Sequence, residues 1–304
     1  MPVAERDVTD RWILSALNTL IKNVERELEN YDPTRAGRLI DAFVNDDLSN
    51  WYVRINRKRF WGKEMSKDKL SAYQTLYTCL VTVSKLLAPF APFYADQLYK
   101  DLDGTLDSVH LAQFPVVDES LIDVELEERM KTAQKITSNV LALRRKVSIK
   151  VRQPLQCILV PAIDATQRER IETFKSIVLS ETNVKELNFA DDGSSILVKK
   201  VKCDFRSMGK KYGKLMKGVA AAMNTIDQET IGLLERNGAI ELDVEGQKVV
   251  VEAADVEIIS EDIPGWLVSN EGNLTVALDI EVTEELKNEG MARELINRIQ
   301  NIRK

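Results

Sequence analysis

The chain of 304 residues holds a single histidine, His110, and three cysteines, Cys79, Cys157 and Cys203. One imidazole and three widely spaced thiols cannot form a Cys/His zinc site of ordinary spacing, and an odd cysteine count argues against a disulfide framework. Buried free thiols in a reducing compartment are expected instead. His110 has no nucleophile or carboxylate partner suggested nearby, so a neutral, packed side chain is expected there. No apolar run approaches bilayer length, and the amino terminus lacks a signal-peptide pattern. A glycine-rich phosphate loop is also missing. Gly209-Lys-Lys-Tyr-Gly-Lys has two glycines and three lysines but neither the required spacing nor a preceding strand turn. It reads as the basic start of a helix, with Lys210, Lys211 and Lys214 as candidate contacts to an RNA backbone. There is no internal repeat and no low-complexity tract.

What is present describes a globular protein: 44% hydrophobic and 30% charged residues, at a length suited to two domains or three. The net charge of −6 is unevenly spread. From Trp51 to Lys67 six basic residues face one acidic residue, and from Lys199 to Lys217 eight face one. Arg236 to Glu289 reverses this, with fourteen acidic residues against three basic ones. A polyanion would be attracted to the first two stretches and repelled by the third.

The amino-terminal part reads as helices: Val8 to Glu29 on a 3.6-residue apolar stripe, Pro33 to about Asp46, Asp68 to Ala88, and Phe93 to Leu102. Short connections between them predict a bundle. Glu119 to Lys146 is a long charged helix. Beyond it, Cys157 to Pro161, Lys185 to Phe189 and Ser195 to Val201 read as strands around a helix over Ala165 to Glu181. Helices are expected over Met208 to Met223 and Asp227 to Asn237, the second ending at Gly238. Period-two alternation over Ile240 to Ile259 turns at Gly246, a further strand covers Leu274 to Ile280, and a last helix runs from Glu284 to Lys304 without a stop signal. The fold expected is multidomain: an all-α bundle over 1–116, a connecting basic helix and linker over 117–152, and an α+β region of small sheets with packed helices over 153–304.

The run Leu48 to Trp61 is the most informative. At about 100° per residue Val44, Leu48, Trp51, Tyr52 and Ile55 form a core face. Asn50, Arg54, Arg57, Lys58 and Trp61 fall on a neighbouring arc, and Arg59 lies nearer the core. Cations hold a phosphate backbone and a flat ring stacks an unpaired base, so this face suits single-stranded RNA. The plainer alternative is a solvated basic face whose terminal tryptophan packs inward. Arg144, Arg145, Lys146, Lys150 and Arg152 form a second cationic group, suited either to an RNA stem or to acidic residues of a neighbouring domain. Glu25, Glu27 and Glu29 alternate along a helix and read as solvated charge.

Leu48-Ser-Asn-Trp-Tyr-Val-Arg followed by Arg57-Lys-Arg-Phe-Trp resembles the anticodon-binding helical domain of isoleucyl-tRNA synthetases. Asp10-Arg-Trp-Ile-Leu-Ser-Ala-Leu-Asn, Leu87-Ala-Pro-Phe-Ala-Pro-Phe and Ser108-Val-His-Leu-Ala-Gln-Phe-Pro are similar to the same domain. Arg144-Arg-Lys-Val-Ser-Ile-Lys-Val-Arg-Gln-Pro-Leu and Gly290-Met-Ala-Arg-Glu-Leu-Ile-Asn-Arg-Ile-Gln resemble the region after it. The resemblance implies a class I enzyme that charges its tRNA with isoleucine using ATP and edits valine errors, in a cytoplasmic, monomeric protein. It places both reaction centres outside this segment, together with ATP, magnesium and, as a further candidate, zinc. The bundle's first helix and the end of the carboxy-terminal region would then also lie outside. The family's two nucleotide-binding motifs are lacking: one histidine cannot supply the first, and Glu64-Met65-Ser66-Lys67-Asp68 only imitates the second. Ser66 there is expected to cap a helix, with Lys69 where a capping box would have glutamate. The partners implied are the anticodon arm of isoleucine tRNA and the catalytic and editing domains of the same chain. The alternative is a free-standing RNA-binding or protein-interaction module of the same fold.

Overall fold

The computed structural model describes residues 1–102, 105–161, 165–190, 197–203, 216–226, 230–231, 233–234, 238–244, 247–252, 256–262, 265–271 and 274–303. They divide into two compact units, Met1–Lys131 and Thr132–Lys304.

The first unit is helical. Asp7 caps α1 (Val8–Glu29) by accepting the Thr9 N–H at 2.8 Å, and the predicted stripe is buried at Trp12, Ile13, Leu17, Leu20, Ile21 and Val24. Pro33 opens α2 (Pro33–Ala42), and Asp32 accepts the Arg35 N–H. The chain continues without a break into a π-helical stretch, Phe43–Val53, turns at Asn56 and forms the short α3 (Arg57–Trp61). Leu48 to Trp61 is therefore not the single regular helix expected, because wider winding and then Asn56 (φ −92°, ψ 10°) interrupt it. Ser66 caps α4 (Lys67–Leu87) as expected, and α5 (Pro92–Leu102) packs against α4. α1 packs on α2 and α4. His110 is exposed on a 3-10 turn, Val109–Leu111, where Val109 is the buried side chain. The expectation of a packed histidine fails because the turn points its neighbour inward instead. α6 (Val124–Lys146) begins later than expected, since Glu119–Leu121 is a separate 3-10 turn and Asp123 accepts the Leu126 N–H.

In the second unit β1 (Leu155–Pro161), α7 (Ala165–Thr182) and β2 (Val184–Ala190) make a parallel strand–helix–strand unit with Leu155 opposite Val184. The remaining elements are β3 (Leu197–Cys203), α8 (Met216–Thr225), β4 (Ala239–Val244), β5 (Gln247–Glu252), β6 (Val256–Asp262), β7 (Trp266–Glu271), β8 (Leu274–Asp279) and α9 (Glu284–Ile302). One sheet has the order β2-β1-β8-β7, and β3 pairs with β6 and β4 with β5 as two separate ribbons. The alternating run from Ile240 thus splits, its last part pairing with β3 rather than β5. Strand β7 was not expected. Gly238 has φ 75° and donates its N–H to Leu234 O at 2.9 Å, while most of the helix expected over Asp227 to Asn237 lies outside the described residues. Gly290 of α9 lies against the Gln153 side chain, which donates to Leu286 O at 2.8 Å, and a Cβ there would run into Gln153 Oε1. Cys79 and Cys157 are buried free thiols, and burial pushes both pKa values up.

Candidate nucleic-acid interface

Asp10 organises the place where α3 leaves the bundle. Its side chain is wholly buried, and it accepts hydrogen bonds from Tyr52 Oη at 2.6 Å, Ser71 Oγ at 2.8 Å and the Arg59 guanidinium at 2.9 and 2.8 Å. Arg59 also reaches Asp68 at 2.7 Å and donates to Asn56 Oδ1 at 2.9 Å. Asn56 in turn donates to Tyr52 O at 2.9 Å and to Thr9 Oγ1 at 3.2 Å. Burial opposes the Arg59 charge, but the hydrogen bonds to Asp10 and Asp68 outweigh it and hold its pKa above the ordinary range. Burial and the Asp10 charge raise the Tyr52 phenol likewise, so Tyr52 stays a neutral donor. The structure removes Arg59 from the expected RNA-facing set: its guanidinium is committed to two carboxylates.

The aromatic pair at the end of α3 divides between core and solvent. Phe60 is buried, edge-on to Tyr52 and Tyr73 with ring centroids 6.1 and 5.4 Å away. The Tyr73 hydroxyl donates to Phe60 O at 3.2 Å and Lys69 Nζ to Gly62 O at 2.6 Å, so α4 holds the last carbonyls of α3. Trp61 is 69% exposed. The Arg57 guanidinium sits 5.7 Å from the Trp61 ring centroid, and that of Arg54 5.6 Å from the centroid of buried Trp51. Asn50, Arg54, Arg57 and Lys58 are exposed, while Leu48, Trp51 and Tyr52 are buried and Val44 and Ile55 half-buried. The first unit thus offers solvent a flat ring beside fixed cations, on a backbone pinned from beneath. Sequence reasoning missed Asp10 and Ser71 as its supports. An aspartate inside an otherwise apolar helical stripe was the available signal.

The second cationic group is divided between interior and surface. Arg144 is 1% exposed and its guanidinium donates to backbone carbonyls, so the structure takes it out of the expected set as a direct surface contact. Arg152 is exposed but paired with Glu294 at 3.3 Å. Arg145, Lys146 and Lys150 face solvent. Lys210, Lys211 and Lys214 lie outside the described residues. Among the described residues no cluster of three or more His, Cys, Asp or Glu could hold a metal ion, and no helix is long and apolar enough to cross a membrane.

Residues 10–159 match the model of the anticodon-binding domain of tRNA ligases. The whole chain is 62% identical to part of an isoleucine–tRNA ligase of Bacteroides thetaiotaomicron, covering 27% of that relative. It is 60% identical to one of Porphyromonas gingivalis, again over all of the chain and 27% of the relative. With that of Thermus thermophilus it shares 38% identity over its full length and 30% of the relative. The chain therefore spans less than a third of the length of the curated relatives it matches.

Proposed function

We propose that this chain, which belongs to the isoleucine–tRNA ligase family through its anticodon-binding domain and the region that follows, binds the anticodon arm of an isoleucine tRNA. Trp61 stacks an unpaired anticodon base, and Arg54, Arg57 and Lys58 hold phosphates or base edges around it, with Asn50 beside them. The observation that carries this reading is the outward Trp61 ring on a helix end fixed by Arg59, Lys69 and Tyr73. A tryptophan kept from the core at such a position exposes a large apolar surface, and Phe60 already fills the inward place. The segment itself carries neither nucleotide-binding motif of the family. In the whole protein, ATP with magnesium would drive attachment of isoleucine, valine errors would be removed by editing, and zinc is a further candidate metal, all in domains outside this segment. The bound anticodon arm would select the tRNA and direct its acceptor end toward those domains. A cytoplasmic monomer is the setting this function fits.

The test is binding to isoleucine tRNA and to the same tRNA with its anticodon bases changed. The parent chain should prefer the first. Trp61→Ala should lose roughly ten- to a hundredfold on it, the equivalent of one stacked base, and lose the preference. Equal affinity of the parent for both RNAs would remove base readout from α3.

A further inference from the structure

α6 ends in a two-bond cap: Ile149 N–H donates to Arg144 O at 2.9 Å and Ser148 N–H to Arg145 O at 3.1 Å, with Ser148 left-handed at φ 58°. The turn that follows closes around the Arg144 side chain. Its guanidinium donates to the carbonyls of Lys150 at 3.2 Å, Gln153 at 2.9 Å and Asn183 at 3.0 Å, while among the described residues Nε has no partner. Among the described residues no carboxylate stands beside it. Burial lowers its pKa to about 10, so at neutral pH it remains a buried cation, with no counter-charge among the described residues. Arg144, Arg145, Ser148, Ile149, Lys150 and Val151 line an open cavity of about 400 Å³, and no acidic residue is among them. Arg145 and Lys150 are exposed at its edge, and no ion pair engages them among the described residues. Nearby cations of this unit behave differently: Arg152 pairs with Glu294, Lys185 and Arg293 with Glu289.

We propose that this cavity is an anion site that receives one phosphate of an RNA backbone. Arg145 and Lys150 supply the mobile positive charges, the Ser148 hydroxyl a donor, and buried Arg144 a fixed charge in the floor. Such a contact adds affinity without reading sequence. The proposal rests on the reading that the chain binds RNA, though not on which bases it reads.

The test uses the 304-residue chain carrying Arg145→Ala and Lys150→Ala together, both surface changes expected to leave folding intact, as urea unfolding would verify. Isoleucine tRNA and its anticodon-changed form are titrated at several salt concentrations. The double variant should bind both RNAs about tenfold more weakly at low salt, with a log affinity against log salt slope shallower by about 1–2, and keep the parent's anticodon preference. Unchanged affinity and slope would overturn the cavity assignment while leaving anticodon readout by α3 standing. The converse, a parent without anticodon preference whose slope still falls in the double variant, would overturn the α3 reading alone. Failure of the parent to bind either RNA overturns both. Inorganic phosphate, titrated alone at constant ionic strength, should show no saturable binding. Saturable binding lost in the double variant would assign the cavity to a free anion instead of RNA.

Discussion

Asp10 on α1 takes hydrogen bonds from Tyr52, Arg59 and Ser71, three residues on three other stretches of helix. A buried carboxylate with four donors is satisfied, and breaking such a cluster from one side strands the rest. Asp10→Ala should therefore destabilise the chain by roughly 3–5 kcal/mol, read as a lower urea midpoint with little change in slope. A loss under about 1 kcal/mol would mean that Asp68 alone can hold Arg59. At this scale the sequence shows which residues can touch RNA better than it shows which do. Arg57, Lys58, Arg59, Phe60 and Trp61 read as one cationic, aromatic run, yet Arg59 and Phe60 turn inward and the others outward. Alternation around a five-residue helix after a break at Asn56 depends on where the break falls, and helix angles counted from Leu48 do not supply that. Arg144 illustrates the same limit, since its partners are backbone carbonyls that no side-chain pattern announces.

At the level of elements, local signals served well and pairing did not. Asp7, Asp32 and Ser66 each cap the helix after them, and the apolar stripe of α1 is buried as its period predicts. β7 escaped notice because Trp266-Leu-Val-Ser-Asn-Glu alternates poorly, although the Gly272-Asn273 pair after it is a hairpin signal. The antiparallel pairing of β1 with β8, Ile158 opposite Leu278, joins segments far apart in sequence and leaves no local mark. Asp96 ties α5 to the turn beyond it, accepting from Ser108 Oγ at 2.7 Å, Val109 N–H at 3.0 Å and Lys100 Nζ at 2.7 Å. The bond from Lys100, then those from Ser108 and Val109, hold its pKa at about 2. The folded value lies below the unfolded one, so this tie contributes fully above about pH 4 and is lost as pH falls through about 2. Carboxyl NMR titration should find Asp96 among the most acidic aspartates. A midpoint near 4 would mean the tie does not form in solution.

For the whole molecule, a net charge of −6 says little about RNA, because the charge is partitioned. The cations that face solvent are the relevant quantity. In the first unit Arg57 and Lys58 are exposed on α3 beside Trp61, and in the second Arg145 and Lys150 edge the Arg144 cavity, whereas Arg59, Arg152 and Lys185 pair with carboxylates. Such a distribution favours attraction to a polyanion at two separate places against a repulsive background, and predicts binding that weakens steeply with salt. The proposed function turns on Trp61 stacking against a base. Among the tryptophans Trp12 and Trp51 are buried at 3% and 5% exposure and Trp266 is half-buried, so an exposed-tryptophan signal belongs chiefly to Trp61. The most direct measurement is tryptophan emission of the parent and of Trp61→Phe during titration with an isoleucine tRNA anticodon stem-loop. The account predicts saturable quenching in the parent that is largely absent from Trp61→Phe. Saturable RNA binding with unchanged emission, or equal quenching in both proteins, would contradict it.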